Sequence, residues 1–242
     1  MSKIVIVTGA GGGLGRALVR ALARRGDVAV AFGRDLPRLN ETGVGLDPEL
    51  FRPYKVDAAD LEGMERAVAE AGHALGRIDG LFANAASYPR VSLLDQTATS
   101  WMDVLRVNVG GVLAACRAVL PIMMRMGHGR IITVGSFADI DPLASSSAYS
   151  ASKGALHALT RAIARDVGDD YPDILVNEWI PGALKTAMGT PDGIDPDVSA
   201  AWGVALLDLE PGGPTGRIYD RDRLVEPPQP FRQRMLAKVG LR

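Results

Sequence analysis

This sequence predicts an α/β fold: a single domain on a doubly wound parallel sheet of about seven strands, with helices on both faces. Three observations carry the prediction. Short, β-branched, continuously apolar runs recur along the chain, as strands buried on both faces require. Segments with helical apolar spacing alternate with them, which reads as successive βαβ units. The chain has 242 residues, 47% of them hydrophobic and 28 of them glycine, enough for one large core. Right-handed crossovers then put helices on both sides of the sheet.

The elements follow in order. KIVIVT (3–8) is a strand, and 14–25 has helical spacing with its charges on one side. VAVAFG (28–33) and FRPYKVD (51–57) are the second and third strands, followed by a helix over 61–76. DGLFAN (79–84) is a strand, and a long helix is expected from about 100 to 126. GRIITVGS (129–136), a helix at 147–169 and ILVNEWI (174–180) complete the regular alternation. A helix over 195–209 and a last strand at 214–220 follow. Residues 221–242, proline-punctuated with a short basic helix, read as a C-terminal arm on the one domain that spans 1–242.

Composition excludes several function classes. A net charge of −1 provides no electrostatic footprint for nucleic acid or an anionic membrane. No apolar stretch reads as long enough to cross a bilayer. The N-terminus runs straight into a strand with no signal-peptide pattern. One cysteine, Cys116 in an apolar run, excludes an internal disulfide framework and fits core packing in a reducing, cytoplasmic compartment. His73, His128 and His157 lack metal-ligand spacing, so no metal site is expected, and each reads as a surface or helix-end residue.

The first strand-to-helix turn is TGAGGGLGR, Thr8 to Arg16. Gly9, Gly13 and Gly15 space as GxxxGxG, while Gly9, Gly12 and Gly15 also satisfy GxxGxxG. Glycine permits positive φ and a close approach of backbone to a pyrophosphate, and the helix N-terminus offers free N–H groups. A dinucleotide is the ligand this context suits. At the end of the second strand, a carboxylate would hold the adenosine ribose of NAD, and an arginine the extra phosphate of NADP. Here Gly33 stands where the acid is expected and Arg34 follows, with Arg38 nearby. NADP(H) is therefore preferred, and Asp35, within reach of a ribose, keeps NAD(H) as the alternative.

Tyr149 and Lys153, at i and i+4, share a helix face. A nearby ammonium stabilises a phenolate and makes tyrosine a usable general acid or base. By spacing alone, a surface lysine beside a half-buried tyrosine explains the pair as well. Ser136, at the carboxyl end of its strand where open α/β sheets bind ligands, and Asn108, mid-helix where asparagine has poor propensity, shift that balance.

Taken in order, TGAGGGLG, VDAAD with Asp57, ANAA at 83–86, Asn108, Ser136, YSASK and PGALKT at 181–186 resemble the short-chain dehydrogenase/reductase family in its small, Rossmann-type, single-domain form, nearly to residue 220. The resemblance implies that Tyr149 is the catalytic acid/base. Lys153 would bind the nicotinamide ribose and depress the tyrosine pKa, Ser136 would polarise the reacting oxygen, and Asn108 would hold a water in a proton relay. Thr8, Gly9, Gly13, Leu14 and Gly15 would form the cofactor turn, with Arg34 beyond it. Asp57 would accept from the adenine amine, and Asn84 and Ala85 would line the adenosine side. Pro181, Gly182 and Thr186 would shape the nicotinamide pocket. The implied partners are a small carbonyl or alcohol substrate and further copies of the chain, as a homodimer or homotetramer through the helices at 100–126 and 148–169.

The sequence departs from the family pattern at Ala83 and Ala86, at the short AMGTPDGID segment after Thr186, and in YDRDRLVEPP near the C-terminus. The short segment predicts an open cleft. Its candidate edge is Ser87, Tyr88, Phe137, Ala138, Leu143, Ala183, Leu184 and Trp202, mostly apolar, with Arg90 as a solvated loop arginine. Glu178 would face a subunit or Lys185. The leading reading is reduction of a ketone or aldehyde by NADPH. The alternative is a catalytically silent NADP-binding regulator of the same fold, which the four filled catalytic positions disfavour. A sugar epimerase or dehydratase would need a larger C-terminal substrate domain.

Overall fold

The structure is a computed structural model and describes residues 2–226. Eight strands form one sheet in the order β3-β2-β1-β4-β5-β6-β7-β8. These are β1 (Ile4–Thr8), β2 (Val28–Gly33), β3 (Phe51–Lys55), β4 (Gly80–Ala83), β5 (Gly129–Val134), β6 (Ile174–Ile180), β7 (Ile218–Asp220) and β8 (Arg223–Leu224). All pairings are parallel except β7 with β8. The eighth strand is one more than expected. It lies inside the stretch read as a C-terminal arm, so 221–226 complete the sheet edge, while the basic helix expected further on lies outside the described residues.

Among the described residues seven α-helices cover the sheet: α1 (Gly13–Arg24), α2 (Leu36–Gly43), α3 (Leu61–Leu75), α4 (Ala98–Leu105), α5 (Gly111–Met126), α6 (Ser147–Gly168) and α7 (Pro196–Ala205). Two apolar layers result. One packs α3, α5 and α6 on one face through residues such as Val68, Val119, Leu156 and Val176, and includes Cys116. The other packs α1 and α7 on the opposite face through Leu18, Leu22, Trp179 and Val204. Burial pushes the Cys116 thiol up to about 12, so it behaves as a core residue. Phe82 and Trp179 meet edge-on in the second layer with ring centroids 6.3 Å apart.

Two features of the helices differ from the sequence reading. Residues 36–43 form α2, capped by the Asp35 side chain, which accepts from Arg38 N at 3.1 Å. The long helix runs unbroken over Ala98–Met126 and is long and apolar enough, by length and composition, to cross a membrane. Half of its most apolar window is buried inside the protein, however, so its apolar face is the one a core helix needs. A π-turn at Arg106–Gly110 interrupts its regularity and carries Asn108, which is fully buried.

Strand order reverses about β1, with β2 on one side and β4 on the other. The carboxyl ends of β1 and β4 therefore flank the crevice where open α/β sheets bind ligands.

Candidate active site

Thr8 and Asn84 close that crevice at its base. Thr8 Oγ1 accepts from Asn84 N at 3.0 Å and Ala85 N at 2.9 Å, and Asn84 Nδ2 donates to Thr8 O at 2.8 Å. The Asn84 amide thus braces the glycine turn. A Cβ at Gly15 would lie 2.2 Å from Gly9 O and 2.9 Å from Asn84 Nδ2, so only glycine lets the turn close this tightly. Gly13 has φ 50, and a Cβ there would sit 3.3 Å from Thr186 Cγ2. Gly12 caps α1 with no side-chain bond to its free N–H groups, and the first turn holds no acid. Together these make a cradle suited to an anion at a helix N-terminus, with Leu14 buried beneath it.

The end of β2 is flanked by basic side chains. A Cβ at Gly33 would come 3.1 Å from the side chain of the buried Leu39, a tight fit to which the leucine would have to yield. Arg34 is exposed, and the Arg38 guanidinium reaches over Gly12, 2.8 Å from where a Cβ would stand. Asp35 is exposed and caps the α2 N-terminus through Oδ1. Asp57 is exposed and accepts from Ala59 N at 2.9 Å.

Tyr149 and Lys153 stand in the first turns of α6 beside the end of β5. Lys153 Nζ is buried, donates to Val134 O at 2.7 Å and lies 5.5 Å from the Tyr149 ring centre. Burial pushes Lys153 down to about 8, against the pull of Glu178. Tyr149 moves the opposite way from the expectation that Lys153 would depress it. Burial raises its pKa, a hydrogen bond with Ser136 lowers it, and the neighbouring Tyr88 raises it. The Lys153 ammonium points to a backbone carbonyl instead of the phenol. Ser136 Oγ also accepts from Ala138 N at 3.1 Å, capping a short 3₁₀ turn, Phe137–Asp139.

Asn108 is a staple. Its Oδ1 accepts from Ser87 N at 2.7 Å, and its Nδ2 donates to Ser87 O at 3.0 Å and Ser152 Oγ at 2.9 Å. Ser152 Oγ in turn donates to Tyr149 O at 2.6 Å. The Asn108 amide therefore ties the loop after β4 to α6. Ser152 was visible within YSASK only as a spacer.

Contacts cross the cleft beside Tyr149. Tyr88 stacks on Tyr149 with centroids 4.3 Å apart, and Arg90 lies over the Tyr88 ring at 5.1 Å. Arg90 is an exposed loop residue as expected, and its Nη2 also donates to Met188 O and Gly189 O, each at 2.8 Å, strapping the loop after β4 to the segment after Thr186. Thr186 Oγ1 accepts from Gly189 N at 3.0 Å, and a bridge between Leu184 and Ile194 folds the short segment back on itself. These contacts run from the glycine turn to Tyr149 without a break. Phe137, Leu143 and Ala183 are exposed, Ala138 is half-buried, and Leu143 lines a shallow cavity of about 430 Å³ with Leu93, Pro142 and Ser150. Pro181 O accepts from Ser199 Oγ at 2.9 Å, and Gly182, at φ 86, turns the chain toward Ile194. Trp202 sits in α7 and packs against the α1–α7 layer. Glu178 is buried and pairs with the half-buried His157, whose Nδ1 faces its carboxylate.

A model of the short chain dehydrogenase family matches residues 3–196. An uncharacterised oxidoreductase of Staphylococcus epidermidis is 30% identical over 192 residues, covering 77% of this chain and 80% of the relative. One from Staphylococcus aureus is 26% identical over 186 residues, with the same coverage of 77% and 80%. The crystal structure of a short-chain dehydrogenase from Streptomyces avermitilis superposes with a TM-score of 0.81 at 26% identity, covering 91% of this chain and 88% of that one.

Proposed function

This chain belongs to the short-chain dehydrogenase family, and we propose that within it the protein reduces an uncharged ketone or aldehyde with NADPH, using Tyr149 as the proton donor. The observation that carries the reading is the convergence of Tyr149, with Ser136 beside it, Lys153 and Asn108 at the carboxyl edge of the sheet beside the glycine cradle.

The Gly9–Gly15 turn and the N–H groups of α1 would hold the pyrophosphate, Thr186 the nicotinamide end, and Arg34 and Arg38 the adenosine 2′-phosphate. The bound dinucleotide supplies the hydride. The chain's own residues handle the oxygen. Ser136 Oγ and Tyr149 Oη form the pair of hydroxyls that meets a carbonyl oxygen, orienting it and polarising it as negative charge develops. Tyr149 then donates its proton to that oxygen. Its raised pKa keeps the phenol protonated at neutral pH, the state reduction needs. Lys153, held on Val134 O, places a cation behind the ring where the phenolate forms. The Asn108 staple holds the loop that carries Tyr88 at a fixed distance from α6. Tyr88, Phe137 and Leu143 present aromatic and aliphatic surface to the substrate, which favours uncharged carbonyl compounds over phosphorylated or carboxylated ones.

The test is Tyr149→Phe, assayed by NADPH oxidation across a panel of ketones and aldehydes. The expected result is unchanged NADPH affinity and a turnover lower by about 10²–10⁴-fold, the range for loss of a general acid. Unchanged turnover would overturn the assignment.

A further inference from the structure

Behind Ser136, on the side away from the crevice, lies a cluster of three ionisable side chains that the proposed chemistry does not use. His157 follows Lys153 by one helical turn and Tyr149 by two, on the same face of α6. Its Nδ1 stands 2.5 Å from Glu178 Oε2 and its Nε2 stands 3.0 Å from Asp139 Oδ2. Glu178 comes from the middle of β6 and is 1% exposed. Asp139 ends the 3₁₀ turn that Ser136 caps. Ionised carboxylates only accept, so serving both requires an N–H at each ring nitrogen, which is the imidazolium. The need for a cation is sharpened by Glu178 Oε1 and Asp139 Oδ1, both buried without a hydrogen-bond partner among the described residues.

The cluster also closes on the segment that carries Ser136. Gly135 is pressed on Glu178, for a Cβ there would lie 2.0 Å from Oε1. Asp139 anchors the other end of the turn to His157. Ser136 is therefore bracketed: Gly135 rests on Glu178, Asp139 is held by His157, and His157 joins the two.

We propose that His157 is a positioning residue: shared as an imidazolium between Glu178 and Asp139, it clamps the 135–139 turn and so holds the Ser136 hydroxyl on Tyr149. The inference rests on the reading of Ser136 and Tyr149 given above. The groups facing the ring are Glu178 from β6 and Asp139 from the 3₁₀ turn. On α6 itself, Lys153 lies one turn before it and the exposed Arg161 one turn after. The Glu178 hydrogen bond raises the His157 pKa most; burial opposes it, and the charge of Glu178 and the contact with Asp139 add to the rise. Above that raised value a neutral ring has one N–H for two carboxylates, and one end of the turn loses its anchor.

The test combines NMR titration of the full chain with kinetics. The chain has 3 histidines, so His157 is assigned by the signal missing in His157→Gln. It is expected to titrate above the usual ~6.5 for histidine, and titration at or below that value would overturn the proposal. His157→Gln should lower kcat by about 10–100-fold, the scale of a displaced reacting group, with the KM for NADPH unchanged. The fall in wild-type kcat as pH rises through the His157 titration should be absent from the variant. In a Ser136→Ala background the His157→Gln change should cost nothing more, and an undiminished loss there would overturn the route through Ser136. Full activity of Ser136→Ala alone would overturn the Ser136 reading and the positioning step with it, while the titration would still report whether the cluster is ionised. Asp139→Asn, at a less buried position, serves if His157→Gln fails to fold. It should lower both kcat and the His157 titration point, and no change in either would overturn the clamp.

Discussion

Lys153→Met should make the protein more stable while abolishing its turnover. The lysine is buried, and its pKa is pushed from the usual 10.5 down to about 8. Each pH unit of displacement is worth about 1.4 kcal/mol, so keeping the ammonium charged at pH 7 costs the fold about 3 kcal/mol. Methionine fills similar space without a charge but forfeits the Nζ–Val134 O bond, worth about 1 kcal/mol. The net gain is about 2 kcal/mol, or a rise in Tm of about 4–8 °C for a chain of this size. The sign with pH is fixed by the direction of the shift. Between about 8 and 10.5 the unfolded chain holds the proton that the folded chain has released, so wild-type stability rises with pH across that window. The advantage of the variant should therefore be largest at pH 7 and fade toward pH 10.5. Thermal melts of both proteins at pH 7, 9 and 10.5, followed by circular dichroism, measure it. A variant that melts no higher at pH 7, or a difference that stays constant with pH, would refute the reasoning.

Two further outcomes follow from the cofactor cradle. Gly15→Ala places a methyl 2.2 Å from Gly9 O, so the turn must open. Stability should fall by about 1–3 kcal/mol and NADPH binding, read by fluorescence titration, should be lost. Arg34→Glu should raise the KM for NADPH by at least about tenfold, the loss of one charge-assisted phosphate contact, and leave the KM for NADH nearly unchanged. Equal effects on both cofactors would show that Arg34 does not read the 2′-phosphate.

The parts of the fold that were legible in the sequence are those where one physical signal dominates. β1 and β2 are near-continuous apolar runs, and burial on both faces of a parallel sheet demands that pattern. α2 has eight residues, with two of them buried, too few for an apolar period to show. β8 has two residues, and an antiparallel edge pair of that length leaves no pattern at all. The same division runs through the site. Tyr149, Lys153, Ser136 and Asn108 are each ambiguous alone and become readable when their motifs are taken together in chain order. Arg90 could not be read so, because its strap depends on Met188 and Gly189, 98 and 99 positions away.

The His157 cluster was hidden for the same reason, yet one signal for it lay in plain view. Asp139, His157 and Glu178 come from three segments, and each alone has an ordinary reading as a solvated charge. Glu178, however, interrupts ILVNEWI, a strand whose every other side chain must be buried if the sheet is covered on both faces. An ionisable residue in such a strand cannot be solvated from either side, so it must find a counter-charge on the helix that covers it. The covering helix is α6, packed on β6, and its buried face one turn beyond Lys153 presents His157. The helix that carries Tyr149 in its first turns thus presents, from the same face, the imidazole that pairs with the carboxylate beneath it. Under the proposed clamp, a buried carboxylate in the strand next to β5 is coupled to the position of a hydroxyl at the crevice. That coupling is why a substitution at Glu178 should be read out first in turnover, and only second in stability.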